Sequence, residues 1–112
     1  MSQIAPRGPL GLKDRSDGRD PAHLDRVRAL PCCICDAWGL AQTTPTEAHH
    51  VVHGRYSQRR TPDRMAIPLC AAHHRGDRGV IGLHSNPAAW KQLYGSDTDW
   101  IPITLDKLEA AE

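Results

Sequence analysis

Phenylalanine is absent from this 112-residue chain, and its aromatic residues are three Trp and two Tyr. Large aromatic side chains bury much of the apolar area of a small core, so a core built with so few is thin. Thin cores are commonly reinforced by metal or disulfides. Long apolar runs are also missing. None approaches the roughly 20 residues of a membrane helix, and no secretory signal pattern appears, so the expectation is a protein of a reducing cytoplasm without a membrane partner. Excess charge of one sign is lacking too, with 14 Lys and Arg against 13 Asp and Glu. Net charge therefore says little about partners.

Only four Cys are present, all within Cys32–Cys70, and six of the seven His lie within His49–His84. Cys32-x2-Cys35 and Cys70-x2-His73 are two half-sites for one tetrahedral ion, a closed Cys3His set of the structural-zinc kind. Two disulfides are the alternative. The adjacency of Cys32 and Cys33, the nearby His and the reducing compartment favour zinc. Cys33 competes with Cys32 as ligand, but one residue before Cys35 makes a poorer chelate than two.

Residues 1–19 mix Gly, Pro, Arg and Asp without apolar periodicity and read as a flexible tail, leaving 20–112 as one domain. Asp20-Pro21 and Asn86-Pro87 pair an N-cap with a proline at the first helical position. The first opens a short helix with Leu24 and Val27 on its apolar stripe and His23 at its surface. The second opens a helix with Trp90, Leu93 and Tyr94 on one face and Gly95 as its stop. Between them the pattern predicts a knuckle at 32–35, a loop over 36–46, a strand over Glu47–Val52, an apolar run Ala66–Leu69, and a helical turn carrying His73 and His74. The tail after about residue 105 suits a short helix.

Lone histidines are usually structural, but two adjacent pairs in one short stretch ask for more. The same stretch carries Arg55, Arg59, Arg60, Arg64, Arg75 and Arg78 against Glu47, Asp63 and Asp77. Arginine forks suit phosphate oxygens. Hydrolysing a phosphodiester near neutral pH needs a base for water, a cation for the leaving oxygen and positive groups for the phosphate. His50 as base, His49 and His74 as metal ligands, and the nearby arginines supply all three.

The order Leu30-Pro31-Cys32-x2-Cys35, Glu47-Ala48-His49-His50, Asp63, Ile67-Pro68-Leu69-Cys70-x2-His73-His74, then Trp90 and Tyr94-Gly95, resembles the HNH endonucleases of the ββα-metal (His-Me finger) class in a zinc-stapled form. It is most similar to the RecA-dependent (Ref-type) nucleases of phages and bacteria, over about residues 30–95. The resemblance implies an α+β fold in which two strands and a helix surround a divalent ion, with flanking helices, acting on DNA. It implies His49 and His74 as metal ligands, His50 as general base, and Asp63 near the middle position, often Asn, that orients the loop or the base. The last histidine of versions with a third ligand falls on His84.

The expected cofactors are a structural Zn2+ and a catalytic Mg2+, Mn2+ or Zn2+. Arg55, Arg59 and Arg60 are expected to bind DNA phosphates without reading sequence. Further expected partners are a recombinase filament or other phage DNA-processing proteins, in the cytoplasm of a bacterial host. The competing reading is a catalytically inactive zinc-stapled adaptor for DNA or protein. A third is a structural interaction domain in which His49 and His50 are satisfied core residues.

Overall fold

The computed structural model describes residues 18–53, 61–77 and 79–111. Of the expected 1–19 tail, residues 1–17 lie outside the described residues. Gly18 belongs to the fold, since its carbonyl accepts from the Asp63 amide at 2.8 Å.

Helix α1 spans Pro21–Arg28, with the Asp20 side chain accepting from the His23 amide. Its stripe buries His23, Leu24 and Val27. His23, expected at the surface, is 2% exposed because it falls on the inward side beside Leu24. Helix α2 follows at Cys33–Trp38, where a loop was expected, and stops at Gly39 in the left-handed region (φ 67°). Its first turn is the knuckle, with the Asp36 amide donating to the Cys32 carbonyl at 2.9 Å.

Strands β1 (Thr46–His49) and β2 (Ile67–Cys70) form an antiparallel pair. His49 stands opposite Ile67, and Thr46 opposite Cys70. β1 ends three residues earlier than expected. Beyond it the Val52 and His53 amides bond to the Asp97 carboxylate at 2.7 and 3.2 Å, so they leave the ladder. A 3-10 turn at Asp63–Met65 leads into β2, and helix α3 (Ala71–Arg75) leaves directly from it.

Helix α4 is Pro87–Tyr94, capped by Asn86 and stopped at Gly95, as the sequence predicts. Trp90 is fully buried, but Leu93 is 52% exposed, because the stripe continues at i+4 to Tyr94 and not at i+3. A second 3-10 turn, Asp97–Trp100, runs into α5, Ile101–Ala110. The architecture is α+β: a two-stranded sheet with helices around it. Ile34, Ile67, Leu69, Leu83, Trp90 and Trp100 pack with the buried cysteines in one core, so this core and the Cys3His cluster are a single body.

Candidate metal centre

Two clusters of ligating side chains form where β1, β2 and α3 meet. In the first, Cys32, Cys35, Cys70 and His73 are all buried, with their ligating atoms within 4.8 Å of one another. His73 Nδ1 lies 3.7, 3.7 and 3.2 Å from the sulfurs of Cys32, Cys35 and Cys70, and Cys35 Sγ lies 4.0 Å from Cys70 Sγ. A tetrahedron with bonds of roughly 2.3 Å to sulfur and 2.0 Å to nitrogen has edges of about 3.5–3.8 Å. The cluster therefore fits a structural ion such as zinc. Burial, followed by the neighbouring Cys32 and Cys70, pushes the Cys35 thiol up to about 12. A buried thiol in that state needs a bound cation to deprotonate it. Cys33 is buried outside the cluster, so Cys32 is the ligand that the geometry selects.

The backbone around this cluster is tied down. Gln42 Oε1 accepts from the Cys32 amide at 2.8 Å, while its Nε2 donates to the Thr44 carbonyl and to Thr46 Oγ1. The Thr44 hydroxyl accepts from the Ala72 amide at the start of α3. Trp90 Nε1 donates to the His73 carbonyl at 3.0 Å, locking α4 onto the same helix.

The second cluster is His49, His74 and His84, again with one nitrogen from each ring within 4.8 Å of the others. Ring centroids are 4.8–5.2 Å apart. His49 comes from the end of β1 and His74 from α3. His84 arrives on the segment after Gly82, where the Leu83 amide donates to the His73 carbonyl and the His84 amide to the His74 carbonyl, both at 3.0 Å. Exposure rises from buried His49 through His74 to exposed His84, so the cluster is closed at one end and open at the other. An open face is what a substrate-binding metal site requires.

Carboxylates fix two of these rings. Asp97 Oδ2 accepts from His49 Nε2 at 2.8 Å, and Glu47 Oε1 accepts from His74 Nδ1 at 2.7 Å. A carboxylate only accepts, so a ring hydrogen sits on His49 Nε2 and on His74 Nδ1, and in a neutral ring the opposite nitrogens, His49 Nδ1 and His74 Nε2, are the ones that can ligate. His49 Nδ1 is buried without a hydrogen-bond partner among the described residues. That is the state of a ligand nitrogen, and the second carboxylate shell is usual around metal-binding His. Burial lowers the His49 pKa against the opposing pull of Asp97, which keeps the ring neutral and able to ligate. Burial pushes the Asp97 carboxyl up, but its bonds from His49 and the Val52 amide outweigh this and hold it below the usual range.

His50, the next residue, lies outside the cluster. Its Nε2 donates to Asp63 Oδ1 at 2.8 Å, and Asp63 Oδ2 accepts from the Asp20 amide at 2.8 Å. His53 joins neither cluster among the described residues. Its Nδ1 accepts from the Asp97 amide at 2.8 Å, and its ring lies 6.2 Å from Trp90. Arg55, Arg59 and Arg60 lie outside the described residues.

A family model described as "Protein of unknown function (DUF968)" matches residues 13–110. The chain belongs to this family. No curated protein and no solved structure matches it. The DUF968 match spans both clusters, Asp63 and Asp97. Asp97 and Glu47 are the site residues whose roles sequence reasoning missed. Asp97 is 48 residues from His49 with no motif linking them, whereas Glu47 stands two residues before His49 and so shares its register parity. No helix among the described residues is long and apolar enough to cross a membrane.

Proposed function

We propose that this protein is a metal-dependent DNA endonuclease of the HNH (ββα-metal) type. The observation that carries this reading is the convergence of His49, His74 and His84 at the end of a two-stranded sheet, with the following residue, His50, held by a carboxylate. The order strand, strand and helix supports this reading, as does a Cys3His cluster that fits a structural ion beside the three histidines.

A divalent ion on His49, His74 and His84 would supply charge for the developing 3′ oxygen of a cleaved phosphodiester. Asp63 accepts the Nε2 hydrogen of His50, which makes Nδ1 the basic nitrogen that takes a proton from water. Asp63 is therefore the orienting residue, and its tie to the Asp20 amide makes its own position rigid. Arg55, Arg59 and Arg60 bind backbone phosphates, which gives salt-dependent, sequence-tolerant binding. The products carry 5′ phosphates. A recombinase filament and other phage DNA-processing proteins remain proposed partners, in the cytoplasm of a bacterial host.

The test is nicking of supercoiled plasmid by wild type and by His50→Ala, with Mg2+, Mn2+, Zn2+ or EDTA. We expect metal-dependent nicking that falls by at least about 100-fold in the variant, with the zinc content unchanged. Full cleavage by His50→Ala removes His50 as base. Absence of scission by wild type on supercoiled, single-stranded, branched and recombinase-coated DNA favours the adaptor.

A further inference from the structure

Asp97 is a fully buried carboxylate, and such a group persists only when its oxygens are well supplied with hydrogen-bond donors. Oδ2 receives the Val52 amide at 2.7 Å and His49 Nε2 at 2.8 Å. Oδ1 receives the His53 amide at 3.2 Å, and the Asp97 amide itself donates to His53 Nδ1. The residue stands at the start of the second 3-10 turn, which is fixed by a reciprocal capping box between Ser96 and Asp99. One side chain thus joins the end of β1, the turn that follows it and a segment more than 40 residues away.

We propose that Asp97 is a positioning residue for the three-histidine site, holding His49 in the tautomer that presents Nδ1 as a ligand nitrogen. This rests on the metal reading above. A neutral imidazole has one N–H and one lone pair, and the Asp97 oxygen demands the N–H at Nε2. Without that demand the two tautomers of a buried ring compete, and the one protonated at Nδ1 cannot ligate through it. The two amide bonds from Val52 and His53 keep the carboxylate in place. A simple clasp of the loop would use those amides and leave the tautomer of His49 indifferent to the charge at position 97.

Two measurements on the full chain, with its structural zinc retained, test the assignment. The first is the 15N NMR signature of the His49 ring in wild type before any second metal is added. We expect hydrogen at Nε2 and a bare Nδ1. The second is titration with Co2+ of wild type and Asp97→Asn, followed by the visible bands of the bound ion. Asparagine keeps the shape and one acceptor but not the charge or the second acceptor. We expect binding about 10–100-fold weaker, the range typical for loss of a second-shell carboxylate, with one zinc per chain and an unchanged near-ultraviolet circular dichroism spectrum. Equal Co2+ affinity in the two proteins overturns the role of Asp97 alone. Absence of bound Co2+ on zinc-loaded wild type overturns the metal reading and this role with it. Should Asp97→Asn not fold, the wild-type ring signal decides: hydrogen at Nδ1 refutes the assignment and hydrogen at Nε2 sustains it.

Discussion

His23 shows how one side chain can link burial to pH. Its Nδ1 faces the Arg26 guanidinium at 3.3 Å, so the ring proton sits on Nε2, which is buried without a partner among the described residues. Burial first, then Arg64 and Arg26, lower its pKa from the ordinary 6.5, against weaker pulls from Asp20 and Asp63. An unfolded chain protonates this ring near its ordinary value, and the folded chain only at lower pH. Between those two values the unfolded state holds more protons, so stability falls as pH falls below about 6.5. His23→Leu removes both the titration and the orphaned N–H. We expect its unfolding free energy at pH 7 to stay within about 1 kcal/mol of wild type. Its loss of stability between about pH 7 and pH 5 should be smaller than wild type in urea titrations, with buried His49 keeping some of the slope. An unchanged slope would show that His23 protonates as freely in the fold as outside it.

At the scale of elements, the segment after α3 matters most, because it delivers His84. A Cβ built on Gly82 would lie 2.0 Å from the Gly76 amide nitrogen and 2.3 Å from the Arg75 carbonyl carbon. No side chain fits there without moving backbone, and that backbone sets the two bonds pairing Leu83 and His84 with His73 and His74. Gly79 has a positive φ of 67° but nothing within 4 Å of its Cβ position. Gly79→Ala should therefore cost about 1 kcal/mol of strain, whereas Gly82→Ala should cost about 4 kcal/mol or more, or fail to fold. Thermal unfolding of the two variants checks this. Equal melting temperatures would deny the close approach. Nothing in the sequence alone separates these two glycines. Their difference depends on which chain passes over them, and spacing does not carry that information. The caps were legible for the opposite reason. Asp20-Pro21 and Asn86-Pro87 act within one turn, so local chemistry alone located both helices.

For the whole molecule, the Cys3His cluster and the core are inseparable. Cys32, Cys35 and Cys70 sit in the same buried cluster as Ile34, Leu69 and Trp90. Structural zinc typically contributes about 10–16 kcal/mol of binding free energy, against a net stability of roughly 5–15 kcal/mol for a small domain. Stripping zinc with a strong chelator should then unfold the chain cooperatively, and Cys35→Ser should reproduce the effect. Near-ultraviolet circular dichroism and metal analysis read both. Retention of the folded spectrum by a zinc-free protein would show that the apolar core suffices.

The sequence by itself determined the ligand set of the Cys3His cluster, both capped helices and the crowding of histidines, because each follows from residue type and spacing over a few positions. The resemblance put Asp63 near the middle position, orienting either the loop or the base, and in the structure its Oδ1 lies 2.8 Å from His50 Nε2. Only the tertiary structure decided that His84 joins His49 and His74 while His53 does not. It also decided that His23 is buried, that Leu93 faces water, and that Asp97 closes the far side of His49. Each of these depends on contacts between segments distant in the chain, whose register is set by packing across the whole core.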